Sequence, residues 1–448
     1  MNKLKLLWNS LRSSFWCVPA SIVTGSIVLA VWLVEADSMN SRDWMTRWPR
    51  LFGAEAAGAR DMLSTIAGAM MTVVGVTFSM TLVTLALASS QYTSRILRNF
   101  MRDRVTQIVL GIFAGIFTYC LIVLRTIRGG DEGVFIPSMA VSVGVVLAIG
   151  GIGALIFFIH RIASSIQASN IIASVAHETL AAVDRLFPGP LGHTQETDEE
   201  ERSVTARPER HWQTIPVKGV GYIQSIDNEA LMRFAQEQKT VVRMEHGVGE
   251  FAVEGTALVS LACGAPPTKE LVTSLQKAFN LSRYRTLHQD ASFGIRQIVD
   301  IALRALSPGA NDTSTAVVCV DYLTAILARL ASRDIPSLYR YKDGELRVIA
   351  IGPTFPGLVA QSFDQIRDSA AGNVAILLRM LGALETIASL TDDLGRRRVL
   401  REHADYFAET AARTLEAPRD QARIEQRLAR VRAALEAAYS PICKQPQK

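Results

Sequence analysis

The feature that most constrains this chain of 448 residues is a long uncharged apolar run over residues 62–88. About 20 apolar residues cross the hydrocarbon core of a bilayer, so this run is long enough to cross with tilt or to project beyond the core. Three more apolar runs cover about residues 15–34, 105–124 and 135–159. The sequence therefore predicts an α-helical membrane protein with four transmembrane helices.

The second half of the chain has an ordinary charged composition, which predicts a domain outside the membrane. We expect a transmembrane domain over residues 1–161, a connecting helix over 162–187 that continues the fourth span, and a mobile acidic loop over 188–210. Residues 211–448 show short alternating strand patterns followed by helical periodicity. They predict a cytoplasmic α/β domain with a helical C-terminal part.

Basic residues predict the orientation of the spans. Four arginines follow the second span and form what we call the basic hinge: Arg95, Arg98, Arg102 and Arg104. Four spans place both termini on the same side as this hinge, and the positive-inside rule assigns that side to the cytoplasm. The first apolar run is longer than a typical signal-peptide core, so we interpret it as an uncleaved anchor.

Small and hydroxyl-bearing residues recur at helical spacing along the run 62–88 and just beyond it. Such a stripe predicts either close helix packing inside one subunit or the wall of a wet pore in a homo-oligomer. The candidate pore-lining residues, which we call the small-residue stripe, are Thr72, Gly75, Ser79, Ala86 and Ser90. The basic hinge would attract anionic headgroups, or anions at a pore mouth, although anchoring alone also explains it.

Several long segments together resemble a known family. They are residues 78–111 (FSMTLVTLALASSQYTSRILRNFMRDRVTQIVLG), 221–231 (GYIQSIDNEAL), 248–258 (VGEFAVEGTAL) and 285–316 (RTLHQDASFGIRQIVDIALRALSPGANDTSTA). This set is similar to the bacterial membrane proteins grouped as domain of unknown function 2254. The resemblance implies a multi-pass protein of the bacterial inner (cytoplasmic) membrane, and no established activity.

Polar residues of the last segment are the candidates for a cytoplasmic site. They are His288, Asp290, Asp300, Arg304, Asn311 and Asp312. Asn311 or Asp312 can cap the helix that begins near Thr313, and a helix N-terminus can also bind phosphate. An enzyme would need His288, Asp290 and Asp312 to converge in one pocket. Because no nucleotide-binding, nucleophile-elbow or metal-ligand spacing is present, we expect no enzyme, no cofactor and no metal.

Composition excludes other classes of function. The formal net charge is +5 and the basic residues are spread along the chain, so we expect no nucleic-acid partner. The five cysteines form no C-x-x-C pair, so neither a disulfide framework nor a zinc site is indicated.

The function that the sequence favours is an oligomeric channel or pore for ions or small solutes, assembled or gated by the cytoplasmic domain. No acidic residue lies inside the four predicted spans, which argues against a proton-coupled carrier but not against a passive pore. The alternative is a non-transporting sensor or scaffold whose cytoplasmic domain binds a protein or small ligand. The expected partners are the lipid bilayer and further copies of the chain, and the sequence does not define the ion or ligand.

Overall fold

The computed structural model describes most of the chain in eight stretches. They are residues 16–40, 56–91, 104–128, 135–165, 167–187, 211–263, 266–287 and 289–437. These residues form two compact units that divide between Asn170 and Ile171, which we call the N-terminal unit and the C-terminal unit. The predicted mobile loop over residues 188–210 lies outside the described residues.

Four long helices build the described part of the N-terminal unit. They are α1 (Cys17–Asn40), α2 (Ala56–Gln91), α3 (Arg104–Thr126) and α4 (Ser138–Ser165). Helix α3 contacts the other three and has the largest buried share of its apolar stretch. Each helix is long and apolar enough to cross a membrane, as the sequence predicts.

The helices extend past the predicted spans, and this corrects one argument. The apolar stretch of α1 continues to Ser38 and so includes Glu35 and Asp37. The Asp37 carboxylate accepts a hydrogen bond of 3.1 Å from the backbone N–H of Ala140, in the first turn of α4. A helix N-terminus favours such an anion, because its first N–H groups lack partners within the helix. The absence of acidic residues therefore holds only for the central parts of the spans.

Two glycines of α3 bring that helix close to α1. A Cβ atom added at Gly111 would lie 2.8 Å from Ile22 Cδ1 and 3.0 Å from the Cα of Pro19. A Cβ added at Gly115 would lie 2.5 Å from Ser26 Oγ. This Gly-x-x-x-Gly spacing is the small-residue packing that membrane helices use. The close contact thus lies on α3, whereas the sequence suggested it for the run 62–88.

The helix predicted over residues 162–187 is divided in the structure. Helix α4 ends at Ser165, and α5 begins again at Ala168 and runs to Leu186. The Asn170 side chain donates a hydrogen bond of 2.7 Å to the carbonyl oxygen of Ser164. That bond satisfies one of the last carbonyl groups of α4, which have no partner within their own helix.

Two β-sheets lie in the described part of the C-terminal unit. The strands are β1 (Trp212–Pro216), β2 (Gly221–Ile226), β3 (Val242–Met244), β4 (Phe251–Ala252), β5 (Ala257–Ala262), β6 (Phe279–Ser282), β7 (Tyr339–Lys342) and β8 (Glu345–Ile349). One sheet has the order β1-β5-β3-β8-β7 and the other the order β4-β2-β6. All pairings are antiparallel except β3 with β8. Buried apolar side chains of these strands form one core. The helices α6 (Asn228–Glu237) and α7 (Lys269–Lys277) contribute Leu231 and Leu275 to it.

Helices dominate the rest of the C-terminal unit, as predicted. They are α8 (Ala291–Ala305), α9 (Thr313–Ala331), α10 (Phe355–Ser369), α11 (Val374–Ala388), α12 (Leu394–Thr414) and α13 (Pro418–Glu436). Helix α9 is a fifth helix that is long and apolar enough to cross a membrane. The four predicted spans are therefore four of the five candidates, by length and composition, among the helices that the structure describes.

The packing of α3 on α1 gives a testable prediction. We expect Gly115→Val to lower the thermal stability of the purified protein, because the added side chain would overlap Ser26 and push α3 away from α1. The matched control is Gly153→Val on α4, where an added Cβ meets no atom within 4 Å. Size-exclusion chromatography after heating in detergent measures both variants, and equal losses would contradict the role given to Gly115.

Candidate functional site

The C-terminal unit contains a cavity of about 410 Å³. This volume lies within the range of pockets that hold small molecules. Its lining comes from the end of α5, from the ends of β2 and β3, and from the segments around residues 247–250, 285–292, 335–340 and 350–353. We call it the central cavity.

Asp290 is the most buried charged group at the central cavity. It is the N-cap of α8, where one carboxylate oxygen accepts a hydrogen bond of 3.0 Å from the N–H of Phe293. The other oxygen accepts from Nε and Nη2 of Arg285, each at 2.8 Å. The Asp290 side chain is 4% exposed, and burial raises the pKa of its carboxyl group while the Arg285 charge opposes that shift. Ionised Asp290 is therefore stable here only because Arg285 and the helix terminus compensate its burial.

The backbone of Gly249 lies directly against this ion pair. Its φ of +88° is in the left-handed region, and a Cβ there would overlap Asp290 Oδ2 and come within 2.8 Å of Arg285 Nη2. Nearby, the side chain of Gln289 accepts a hydrogen bond of 3.0 Å from the N–H of Ile226. These contacts bring three of the segments that carry the family resemblance together at the central cavity. They are residues 221–231, residues 248–258 and the beginning of residues 285–316.

The other polar candidates of the last segment do not line the cavity. Asp300 lies in the third turn of α8 and forms an ion pair of 2.8 Å with Arg296, while Arg304 is exposed in the last turn. His288 lies outside the described residues. Only Asp290 of the six predicted candidates therefore belongs to the central cavity, as far as the description of the chain extends.

The loop before α9 caps that helix. Capping is one of the two roles predicted for this loop, and phosphate binding is the other. Asp312 accepts hydrogen bonds from the N–H and the hydroxyl group of Thr315, at 3.0 and 2.6 Å, and these bonds lower the pKa of its carboxyl group. Asn311 precedes it with a φ of +43°. The N–H of Asp312 also donates to the carbonyl of Ala305, at the end of α8.

The position of this cap rules out one expected arrangement. Asp290 begins α8 and Asp312 contacts its far end, so 15 helical residues, about 22 Å, separate them. Asp290 and Asp312 therefore do not converge in one pocket, as an enzyme would require. The physical reason is the rigid helix between the two carboxylates.

The small-residue stripe lies on the outer face of α2. Thr72, Gly75, Ser79 and Ala86 are exposed, whereas the buried side chains of α2 project from the opposite face: Ala59, Leu63, Ala67, Met70, Thr77 and Thr84. A Cβ added at Gly75 meets no atom within 4 Å. The stripe therefore does not pack against the described helices of its own unit.

Two sets of predicted residues fall wholly or partly outside the description. Helix α2 includes Ser90, but its side chain is not described. Of the basic hinge, Arg95, Arg98 and Arg102 lie outside the described residues, and Arg104 begins α3 with an exposed side chain. Where the structure is described, no group of three or more His, Cys, Asp or Glu side chains is placed to hold a metal ion.

Sequence reasoning missed three residues of the central cavity. Arg285 and Gly249 could have been predicted as site residues, because they lie in the segments that carry the family resemblance. The third is Arg340, on the edge strand β7, where the sequence shows no motif around it. An arginine five residues before a helix-capping aspartate is a signal that could have found Arg285.

Four apolar helices joined to an α/β and helical unit define a multi-span class of membrane protein. The chain belongs to the family described as predicted membrane protein, DUF2254, whose model matches residues 12–386. An uncharacterised protein of Mycobacterium tuberculosis strain CDC 1551 is 32% identical over 97% of this chain and 83% of its own length. An uncharacterised protein of Mycobacterium bovis is 31% identical with the same coverage. No solved structure matches the chain.

The Asp290 site gives a prediction with an internal control. We expect Asp290→Asn to destabilise the C-terminal unit by about 3 kcal/mol, because it leaves the Arg285 charge buried without its partner. Asp312→Asn changes an exposed cap of the same kind and should cost less than about 1 kcal/mol, since Asn caps helices as well as Asp does. Scanning fluorimetry of the full chain should show a midpoint lowered by roughly 5 to 10 °C for the first variant only. Similar midpoints for both variants would show that the buried pair is not important for stability.

Proposed function

We propose that this protein is a multi-pass protein of the bacterial inner membrane whose C-terminal unit lies in the cytoplasm and binds a small ligand. The central cavity is the observation that supports this proposal. It has the volume of a small-molecule site, an apolar wall, and a few polar groups fixed by helix α8 and its cap. The protein would then act as a membrane-anchored sensor, with the ligand controlling its state.

The packing of α9 supports a cytoplasmic C-terminal unit with four spans in the N-terminal unit. Its apolar side chains are buried among neighbouring helices, with contacts to α8, α10 and α11. Its polar face is ion-paired, since Asp321 bonds to Arg379 and Arg329 bonds to Asp184 of α5 at 2.7 Å. Burial in a helical core thus accounts for the apolar composition of α9 without a membrane around it.

Filling the central cavity tests the proposed function. Gly352 lines the cavity, and a Cβ added there would meet only Leu338 Cδ2, at 3.8 Å. We expect wild-type protein in lipid nanodiscs to bind at least one of hexanoate, hexyl phosphate, hexan-1-ol and hexylammonium in calorimetric titrations. Gly352→Leu should abolish that binding without lowering thermal stability, because its side chain occupies the ligand's space.

The control for this test is Gly309→Leu, in an open loop position away from the cavity. It should bind the probes as the wild type does. If no probe shows binding that Gly352→Leu removes, the cavity does not hold ligands of this kind and the proposed function fails.

The outward small-residue stripe supports a second function, an oligomeric channel or pore. A face of small and hydroxyl-bearing residues on α2 allows close approach of another copy, or contact with water in a conduit between copies. A subunit with four spans has little room for a conduit of its own, so this function requires a homo-oligomer.

Cross-linking tests whether the stripe faces another copy. In a variant without the native cysteines, we expect Ser79→Cys to form dimers with a short bismaleimide in native membranes. The neighbouring exposed Phe78 projects about a quarter turn away from the stripe, so Phe78→Cys should cross-link poorly. Equal cross-linking of both, or of neither, would argue against the stripe as an interface. A cross-linked protein with no conductance in planar bilayers, under voltage or tension, would argue against the pore.

A further inference from the structure

Among the described residues, four charged side chains line the central cavity, and three of them have partners. Arg285 and Asp290 bond to each other, and Asp290 also caps α8. Glu250 lies 3.1 Å from Nδ1 of His246, and its side chain is 47% exposed. The carboxylates at the cavity are therefore already engaged, one by an arginine and a helix terminus and the other by a histidine near solvent.

Arg340 is the exception among these charges. It lies on β7 at the edge of the five-stranded sheet, opposite Val348 of β8, and its side chain is half-buried. Within the described part of the chain its guanidinium group forms no ion pair and no side-chain hydrogen bond, and burial alone lowers the pKa of Arg340. A guanidinium group that is partly removed from water without an anion beside it loses part of its hydration energy without compensation from an ion pair. An anion in the cavity would supply the missing partner.

The remainder of the cavity wall favours an apolar body attached to that anion. Its apolar lining includes Phe187, Ile335, Pro336, Leu338 and Ile351. Ile351 borders the cavity, and 37% of its surface is exposed to solvent. Contact with apolar ligand atoms would remove this surface from water, which is favourable by about 25 cal/mol per Å².

We propose that the central cavity binds a small amphiphile with one anionic group, a carboxylate or a phosphate monoester, and that Arg340 forms the ion pair with that group. This inference rests on the proposed ligand-binding function and adds the chemical class of the ligand. Arg340 is well suited to either anion, because a planar guanidinium group donates two parallel hydrogen bonds to carboxylate or phosphate oxygens.

A probe series in the wild-type protein tests the charge and the apolar body separately. We expect hexanoate or hexyl phosphate to bind at least about tenfold more tightly than hexan-1-ol, since a charged hydrogen-bonded contact is lost in the alcohol. Hexylammonium should bind no better than the alcohol, because the cavity carboxylates are already paired. Acetate and inorganic phosphate, which lack the apolar chain, should bind more weakly than their hexyl counterparts. The comparison of hexanoate with hexyl phosphate distinguishes the two anions.

Substitution of Arg340 tests its role directly. Arg340→Gln should weaken binding of the preferred anion about tenfold or more and leave hexan-1-ol unchanged, while Arg340→Lys should retain part of the preference. The matched control is Lys342→Gln, which removes one positive charge from the same strand at an exposed position outside the cavity lining. It should bind every probe as the wild type does.

The outcomes separate this inference from the function on which it rests. If probes bind and Gly352→Leu removes that binding, but the alcohol or the ammonium probe binds as well as the anions, the cavity is a ligand site of another class. An unchanged anion preference in Arg340→Gln would also overturn the inference. If no probe binding depends on Gly352, the ligand-binding function itself fails. Should Arg340→Gln lower thermal stability, the wild-type probe series and Arg340→Lys still decide.

Discussion

The C-terminal unit depends on one buried carboxylate, that of Asp290. It accepts a hydrogen bond from the N–H of Phe293 in the first turn of α8, and it forms an ion pair with Arg285. It also lies against the backbone of Gly249. A carboxylate so deeply buried is stable in its charged form only when Arg285 and the N-terminus of α8 compensate its burial. These contacts fix the relative positions of three distant segments of the chain, and the central cavity is the space that remains beside them. The ion pair of Asp290 with Arg285 therefore stabilises the fold and also forms part of the wall of the candidate site.

Small residues have different roles in two helices of the N-terminal unit. On α3, Gly111 and Gly115 allow α1 to approach within contact of the backbone. On α2, Gly75 and its neighbours face away from the described helices. Both patterns have the same spacing in the sequence, because spacing shows which residues share a face and not what that face touches. The partner of a face becomes clear only when the neighbouring helices are in place.

The sequence predicted the parts of the fold that depend on local composition. Apolar runs predicted four helices. Asp343-Gly344 is a dipeptide typical of hairpin turns, and it joins β7 and β8 with φ values of +55° and +74°. Asn311 and Asp312 were predicted as alternative caps of α9, because capping depends on residues only three positions apart, and the structure shows Asp312 in that role. Hydropathy could not separate α9 from the spans, since a helix buried in a protein core and a helix in lipid are both apolar.

The candidate site was harder to predict because its partners are distant in sequence. Asp290 was among the predicted polar residues, but its role depends on Gly249, 41 positions earlier, which approaches it only in the folded chain. Arg340 follows Asp290 by 50 positions and is significant because its guanidinium group has no ion-pair or side-chain hydrogen-bond partner among the described residues, which is a property of its surroundings. Asp290 and Asp312 do not converge in one pocket for a related reason. Residues near each other in sequence were separated by the helix between them.

The length of α2 has a consequence for where its outer face ends. Its 36 residues span about 54 Å, whereas the hydrocarbon core is about 30 Å thick, so even at a tilt of about 40° roughly 10 Å of the helix lies outside the core. If the charged pair Arg60 and Asp61 marks one headgroup layer, the helix reaches the opposite layer between about residues 81 and 87. Thr72, Gly75 and Ser79 then lie at acyl-chain depth, while Ser90 stands among or beyond the headgroups. The outer face of α2 thus meets two solvents, hydrocarbon along the part with Thr72, Gly75 and Ser79 and a polar, hydrated layer towards its C-terminal end.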